Sequence, residues 1–448
     1  MIGDMRRIGG RILLFCIGAF LIYLMVAPPD RSAKDGKTHV RYWFVSGPDE
    51  QIPYRVTQFN KTHKDIVIDA TPIPWNEHEK KVLTAILSGD PPDVVSLVAP
   101  VQQWATRMAL IPLNNLIKKD NFDSTYTFPA LWREVNYEGY VFALPTHTAS
   151  YAFFYNKKLF REAELDPNKP PKTWDQVREY SKRLTKMENG NYKQIGFIPI
   201  YGNLFIAVLM AQELGAKFLS DDGKTVHLDN KQMIESLQWI LNYYSDYNFN
   251  KLTAFQLGFG YADQHGFISE KVAMMVLDHT FLDAIDMYKP DLDFGVTAIP
   301  TFEGYQTASS TGNWWMAIPR GAKNVEAAWK FMKFSVSEKV QIKESEGMKQ
   351  RLLPANINAA KDTALTNHKK FYDVLIEQMK YAKTPSIVPL VNGTFWREFA
   401  LAEERAIRHK QTPKLALEQA NKVVQKDLNR AKQYDDYVWA NMKLEDFQ

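Results

Sequence analysis

Three features of the 448-residue sequence predict an α/β fold in two lobes. Its length exceeds what one hydrophobic core usually organises. Apolar segments between residues 40 and 98 run strand, helix, strand, helix, strand, with connections long enough for helices, which is the pattern of a parallel sheet with right-handed crossovers. The third feature is the stretch Leu87-Ser88-Gly89-Asp90-Pro91-Pro92-Asp93-Val94-Val95-Ser96-Leu97-Val98. Gly89 and the two prolines stop a helix there, because glycine tolerates positive φ and proline lacks an N–H donor. The strand that follows is apolar on both faces, as a buried parallel strand should be. Its end, Ala99-Pro100, opens on the crevice where open α/β sheets take ligands.

Composition narrows the function classes. With 55 Lys and Arg against 51 Asp and Glu, the formal charge is only +4. No basic run forms a nucleic-acid footprint. Apolar residues at 45% and charged residues at 24% are those of a globular chain, which excludes general disorder. Cys16 is the one cysteine, so neither a disulfide framework nor a cysteine metal site is available.

Arg6, Arg7 and Arg11 flank a run, residues 12–27, that carries no charge and ends at Pro28-Pro29. A basic flank before an apolar run is a Sec-type export signal, and the run is about the minimum that spans a bilayer. Residues 1–29 are therefore an export signal or a membrane anchor. A lipoprotein signal at Cys16 is disfavoured by bulky Phe15 where a small residue is expected. Residues 30–39 are polar and form a tether. The bulk of the chain is expected outside the cytoplasm, periplasmic or otherwise extracytoplasmic.

The folded body opens with the strand Val40-Arg41-Tyr42-Trp43-Phe44-Val45, broken by Ser46-Gly47-Pro48. Ile52, Val56 and Phe59 set a helix over about 49–63. Ile66 to Thr71 is a second strand, Trp75 sits in a loop, and a helix runs from about 76 to 88. Beyond the third strand come Ala109-Leu110-Ile111-Pro112-Leu113, then Gly139-Tyr140-Val141-Phe142-Ala143-Leu144-Pro145, then a strand from Ser150 through Tyr155-Asn156-Lys157-Lys158-Leu159-Phe160. Asn156 there is a turn or cap residue. Thr173 in Pro170-Pro171-Lys172-Thr173-Trp174-Asp175 is a good N-cap for a helix carrying Val177, Tyr180 and Leu184. Phe205 to Ala216 reads as an apolar helix closing at Gly215. Asp221-Asp222-Gly223-Lys224 reads as a hairpin turn, since the ordered carboxylates of a calcium loop are absent. Phe267 to Leu277 is a helix end passing into a strand. Thr412-Pro413 caps and starts the last long helix.

In this order, the Gly-Asp-x-Pro-Asp-Val-Val stretch, the Tyr155-Asn156-Lys157 strand end and the Pro-x-Thr-Trp-Asp helix start resemble the extracellular solute-binding proteins of ABC importers, the maltose-binding-like family. The resemblance covers about residues 40–430. Glu270 departs from it, standing where that family usually has glycine in its F-x-x-G-x-x-A-M segment. The resemblance implies a periplasmic-binding-protein-like fold, two α/β lobes joined by a multi-crossing hinge with a ligand cleft between them. It divides the chain into a first lobe of 40–146 with 300–352 and a second of 147–299 with 353–448. Phe294-Gly295-Val296-Thr297-Ala298-Ile299-Pro300 resembles the second crossing, and Leu352-Leu353-Pro354-Ala355 fits the third. It further implies capture of a small solute, a sugar or oligosaccharide, and delivery to ABC permease subunits. Two other readings stay open: an extracytoplasmic carbohydrate-active enzyme, and a sensory binding protein serving a receptor kinase.

The sequence has no phosphate loop, no G-x-S-x-G elbow and no H-E-x-x-H, and its nine histidines form no metal-like pair. No catalytic residue, metal or cofactor is therefore expected. The resemblance places ligand contacts on loops at strand ends: Trp43 and Ser46, Trp75, Tyr151, and the later pair Asp278 and His279. Tyr155, Phe281 and Trp396 fall where relatives place stacking aromatics. Asn313 joins Asp278 and His279 as a hydrogen-bonding candidate. Trp314 and Trp315 alternate on a strand, so one should face the cleft and the other the core. Arg351 is the basic candidate, and a basic contact would move the ligand toward a phosphodiester or an acid.

Overall fold

A computed structural model describes residues 35–46, 51–98, 100–201, 205–347, 352–366 and 370–441. The export run, Cys16 and Arg351 lie outside these. Strand β1 (Thr38–Ser46) alternates buried and half-buried residues and pairs in parallel with β2 (Ile66–Pro74) and β3 (Val94–Leu97). The helices between them, Tyr54–Thr62 and His78–Leu87, complete the expected β-α-β-α-β unit; Pro53 delays the start of the first. Gly89 takes φ +76° just past the second helix. The Gly-Asp-Pro-Pro-Asp stretch turns out to be structural. Asp90 holds the Arg41 guanidinium at 3.0 Å, and the buried Asp93 carboxylate accepts the backbone N–H groups of Arg41, Lys323 and Asn324.

After a short hairpin, β4 (Asn136–Tyr137) with β5 (Tyr140–Val141), comes the spine of the molecule. Strand β6 (Leu144–Asn156) is 13 residues long and almost wholly buried. Its first half pairs antiparallel with a later strand through Thr311–Ser150 to Met316–Leu144, and its second half pairs with another through Tyr151–Asp278 to Tyr155–Met274. Those partners follow β7 (Lys186–Glu188) and β8 (Asn191–Phe197): they are β9 (Val272–Asp278) and, after β10 (Phe294–Thr297), β11 (Ser309–Ala317). Two short strands, β12 (Leu353–Pro354) and β13 (Ala382–Lys383), join β6 and β11. The strand order is β2-β1-β3-β11-β6-β9-β8-β7, with β6 passing from one half to the other.

Each half has its own core. Tyr42, Phe59, Trp315 and Trp329 are buried in the first; Phe153, Trp174, Phe197 and Tyr243 are buried in the second. The fold is thus the expected pair of α/β lobes, with differences in where the chain crosses. The strand expected to run on to Phe160 stops at Asn156, whose side chain accepts the Leu159 N–H and starts the helix Lys157–Glu162. Thr173 caps its helix through the Gln176 N–H as expected. The second crossing lies at the start of β11 and not at 294–300, because β10 pairs with the second-lobe end of β6. Leu353, Ala355, Leu365 and Tyr372 pack in the first core, so the chain does not pass to the second lobe at 353. The helix Tyr372–Gln378 lies between the cores, with Tyr372 and Ile376 in the first and Leu375 in the second, and the passage is complete by Val388. Glu270 adopts φ +58°, the left-handed conformation that favours glycine. Its carboxylate is tied to Lys158 at 2.7 Å and Lys289 at 2.9 Å.

Candidate functional site

The lobes meet along β6 and β11, and there a cavity of about 230 Å³ opens on the second-lobe side. Tyr151 enters it from the middle of β6. Ser310 and Thr311 enter from β11, at the point where that strand leaves the second lobe. Phe205, Val208, Leu209 and Gln212 come from the N-cap and body of the helix Ile206–Glu213. The opposite wall is the third crossing, through Thr384, Pro385 and Ile387, and Trp396 from the helix Asn392–Ile407. None of these lining residues carries a formal charge. The walls therefore offer flat apolar rings, hydroxyls and one amide, which suits a ligand with C–H faces and many neutral polar groups.

The rings are held. Phe205 stacks on Trp396 with centroids 4.9 Å apart and planes 14° from parallel, and the Trp396 indole N–H donates to the Pro385 carbonyl at 3.2 Å. The Tyr151 backbone carbonyl accepts from the Ser309 hydroxyl at 3.0 Å. Burial, with Asp278 opposite it on β9, pushes the Tyr151 phenol up, so it stays a neutral donor.

A second aromatic group closes the ends of β8 and β9. Phe281 lies 4.5 Å from the His265 ring, His265 stacks with Tyr201, and Tyr201 packs on Phe259. Burial depresses His265 to about 4, so this group too is uncharged at neutral pH. Trp314 belongs to neither core, and its ring covers Gly312 at the hinge.

The expected contacts thus divide. Tyr151 and Trp396 share one cavity, while Phe281 and Trp314 sit at the second-lobe strand ends and at the hinge. Trp315 is fully buried in the first core and is the core member of its pair. Tyr155 is a correction: its ring is in the second core, packed against Phe160 and Gly295, with its hydroxyl on the Pro167 carbonyl. His279 is another, being fully buried with Nδ1 accepting the Ser150 N–H at 3.1 Å, a bond that ties β9 to β6. Asp278 accepts from the Thr280 backbone N–H and hydroxyl, which makes it a turn residue at this point. Trp43 packs partly on the first core, Ser46 is buried and Trp75 is half exposed, in neither core. The side chain of Asn313, like Arg351, is outside what is described.

Sequence reasoning missed Phe205, Gln212, Ser310 and Thr311. One signal was available for the last two. Thr307 to Gly312 is a run of small and hydroxyl-bearing residues leading into a strand that is otherwise aromatic and buried.

The sequence of residues 46–342 matches the family described as bacterial extracellular solute-binding protein. The chain belongs to that family. Among characterised members, an arabinooligosaccharide-binding protein of Bacillus subtilis is 24% identical over 336 residues, 72% of this chain and 75% of the relative. A galactooligosaccharide-binding protein of the same organism is 23% identical over 91% of this chain and 94% of its own length. Among solved structures, CpMnBP1 with mannotriose bound is 27% identical and superimposes with a TM-score of 0.71 over 87% of this chain and all of that one. Membership of this solute-binding family accounts for the two α/β lobes.

Proposed function

We propose that the chain captures an oligosaccharide between its lobes, outside the cytoplasm, and delivers it to the permease of an ABC-type importer. The observation that carries the reading is the uncharged wall of the cavity, with Trp396 and Phe205 as a ring platform and the Ser310, Thr311 and Tyr151 hydroxyls within the same space. A phosphate or carboxylate ligand would call for a cation there. The saccharides named for the two Bacillus subtilis relatives and for CpMnBP1 support the same ligand class.

At about 230 Å³ the cavity falls below the roughly 300–1,000 Å³ of a whole ligand pocket, so it takes one sugar ring while the others lie in the open cleft. Lobe closure would then add contacts from Trp314 and the first lobe. A ligand shifts the open–closed balance only through such differential contacts. Family membership favours an extracytoplasmic location, and the apolar run at 12–27 supplies either the export signal or the inner-membrane anchor.

Calorimetric titration of the purified chain with arabino-, galacto-, manno- and malto-oligosaccharides, and separately with sn-glycerol 3-phosphate, tests the reading. Saturable binding of one saccharide series with no product formed is the expected result. Binding of the phosphate ester alone would overturn the ligand class, and release of shorter sugars would overturn the binding-only role.

A further inference from the structure

The third crossing is a thin wall between two spaces. Pro385 and Ile387 face the ligand cavity, whereas Ser386 and Val388 face a second groove of about 480 Å³ on the other side. From the ligand side the segment is held by second-lobe groups: the Pro385 carbonyl accepts from Trp396, and the Ile387 N–H donates to Asn392 at 3.0 Å. From the rear it is held by a first-lobe residue. Glu134, the last residue of the helix Pro129–Glu134, is 1% exposed and accepts the Ser386 hydroxyl at 2.7 Å. Its own backbone carbonyl is fixed by the Gln102 amide at 2.6 Å. Glu134 is thus a buried acid whose side-chain partner lies on the segment that joins the lobes.

We propose that Glu134 is a positioning residue for the ligand site: through Ser386 it fixes the rear face of the third crossing, and so sets the wall that Pro385, Ile387 and Trp396 present to the solute. The inference rests on the reading of that cavity as the ligand site. It adds that a first-lobe side chain behind the hinge governs ring binding on the second lobe. A shift of the lobes that draws Glu134 away from Ser386 frees the wall, which links lobe geometry to the shape of the cavity.

Four variants of the full chain test this: Glu134→Ala, Glu134→Gln, Ser386→Ala and Trp396→Ala. Burial pushes the Glu134 carboxyl up to about 7, so glutamine, which keeps an acceptor oxygen, is a close replacement. The expected result is that Glu134→Ala and Ser386→Ala each weaken binding of the preferred saccharide about tenfold, the size of one lost buried hydrogen bond to an acid, while Glu134→Gln restores it. Combining Glu134→Ala with Trp396→Ala should cost less than the sum of the two, because both act on one wall. A merely structural role would lower thermal stability in Glu134→Ala with affinity unchanged, or give additive losses, and either outcome overturns the proposal.

A second readout needs no ligand. The Trp396 indole N–H resonance, identified by its loss in Trp396→Phe, should shift in Glu134→Ala and Ser386→Ala but return in Glu134→Gln. An unmoved resonance refutes positioning even if no saccharide binds the parent chain, a result that would overturn the ligand class alone. Should Glu134→Ala fail to fold, Ser386→Ala, which removes only a hydroxyl, decides between the same outcomes.

Discussion

Phe205 and Trp396 form a stacked pair that packs against the second core on one side and lines the cavity on the other. Phe205 also meets the buried Phe399 edge-on, at 5.4 Å. A ring platform built this way loses little side-chain freedom when a sugar lies on it, which is the energetic advantage of a preformed site. Trp396→Ala should weaken saccharide binding by about 2 kcal/mol or more, the range of an interface aromatic anchor, and roughly thirtyfold in Kd. Titration calorimetry checks it, and a Kd within twofold of the parent would remove Trp396 from the site.

The rear of the molecule carries a clasp. The last helix, Pro413–Asn441, packs Leu417, Val424 and Leu428 in the second core, and its final turns then reach the β4–β5 hairpin of the first lobe. There the Tyr137 hydroxyl donates to the buried Asp435 carboxylate, Lys432 approaches it at 3.2 Å, and Trp439 stacks on Tyr140 at 5.5 Å. The Trp439 indole N–H also donates to Asp435, at 3.0 Å, so Tyr137→Phe removes one of three donors to a buried acid. The expected loss is about 1–3 kcal/mol, read as a lower melting temperature, and Trp439→Ala should act in the same direction. Unchanged melting in both would show that the clasp contributes nothing to stability.

How much of this was legible in the sequence depended on whether local chemistry or the chain path decided the matter. Caps at Asn156 and Thr173, the stop at Gly89 and the strand Val94–Leu97 follow from residue type and spacing, and the structure has them. The length of β6 was hidden, because the sequence reading starts that strand at Ser150, whereas Leu144, Pro145 and His147 to Ala149 are already paired with β11, with a bulge at Thr146. Site residues were legible only where aromatic type coincided with position. Tyr151 and Trp396 reached the cavity, but Tyr155, four residues on from Tyr151 on the same strand, had already passed into the second core. The place where the chain crosses back was set by core packing of Leu365 and Tyr372 on the first lobe, and no local motif announces that.

Gly312 marks the hinge for a steric reason. A Cβ at this position would lie 2.7 Å from the Ala149 Cβ and 2.9 Å from the Trp314 ring. Gly312 and Ala149 are paired across β11 and β6 where the lobes join. Gly312→Ala must separate the two strands or turn the Trp314 ring, at about 1–3 kcal/mol for an overpacked site. The variant should show a lower melting temperature and an altered tryptophan emission in the absence of ligand. If neither moves, the close packing at the hinge is not a constraint.

Stability should fall as pH rises through neutrality. Burial raises the carboxyl of Glu403 to about 8, and that of Glu213, which accepts the Trp174 indole N–H, also to about 8. A carboxyl whose folded pKa exceeds the unfolded value holds its proton in the native state while the unfolded chain has lost it. Its stabilising contribution is complete below about pH 4 and drains away as pH climbs toward 8. Glu403→Gln cannot ionise, so its melting temperature relative to the parent should improve steadily from pH 5 to pH 8. A difference that does not change with pH would mean that Glu403 is not held protonated. His78 and His265, depressed to about 4 by burial, act in the opposite sense and lose their contribution as pH falls from 6.5 toward 4.

The first lobe contains a buried ion pair that gives a sharper test of its packing. Arg55, on the helix Tyr54–Thr62, meets Glu344, on the helix Glu338–Gly347, at 2.8 Å, with side chains 7% and 3% exposed. Desolvation pushes the Glu344 carboxyl up, while the Arg55 guanidinium beside it acts downward. Removing one partner strands the other charge in the core, whereas replacing both with apolar residues of similar volume removes two desolvation costs together. Glu344→Leu alone should therefore destabilise by about 3–5 kcal/mol, and adding Arg55→Met should recover most of that loss. Thermal melts of the single and double variants measure the recovery. A double variant as unstable as the single one would mean that the pair is needed for the geometry of the two helices and not merely to neutralise a buried charge.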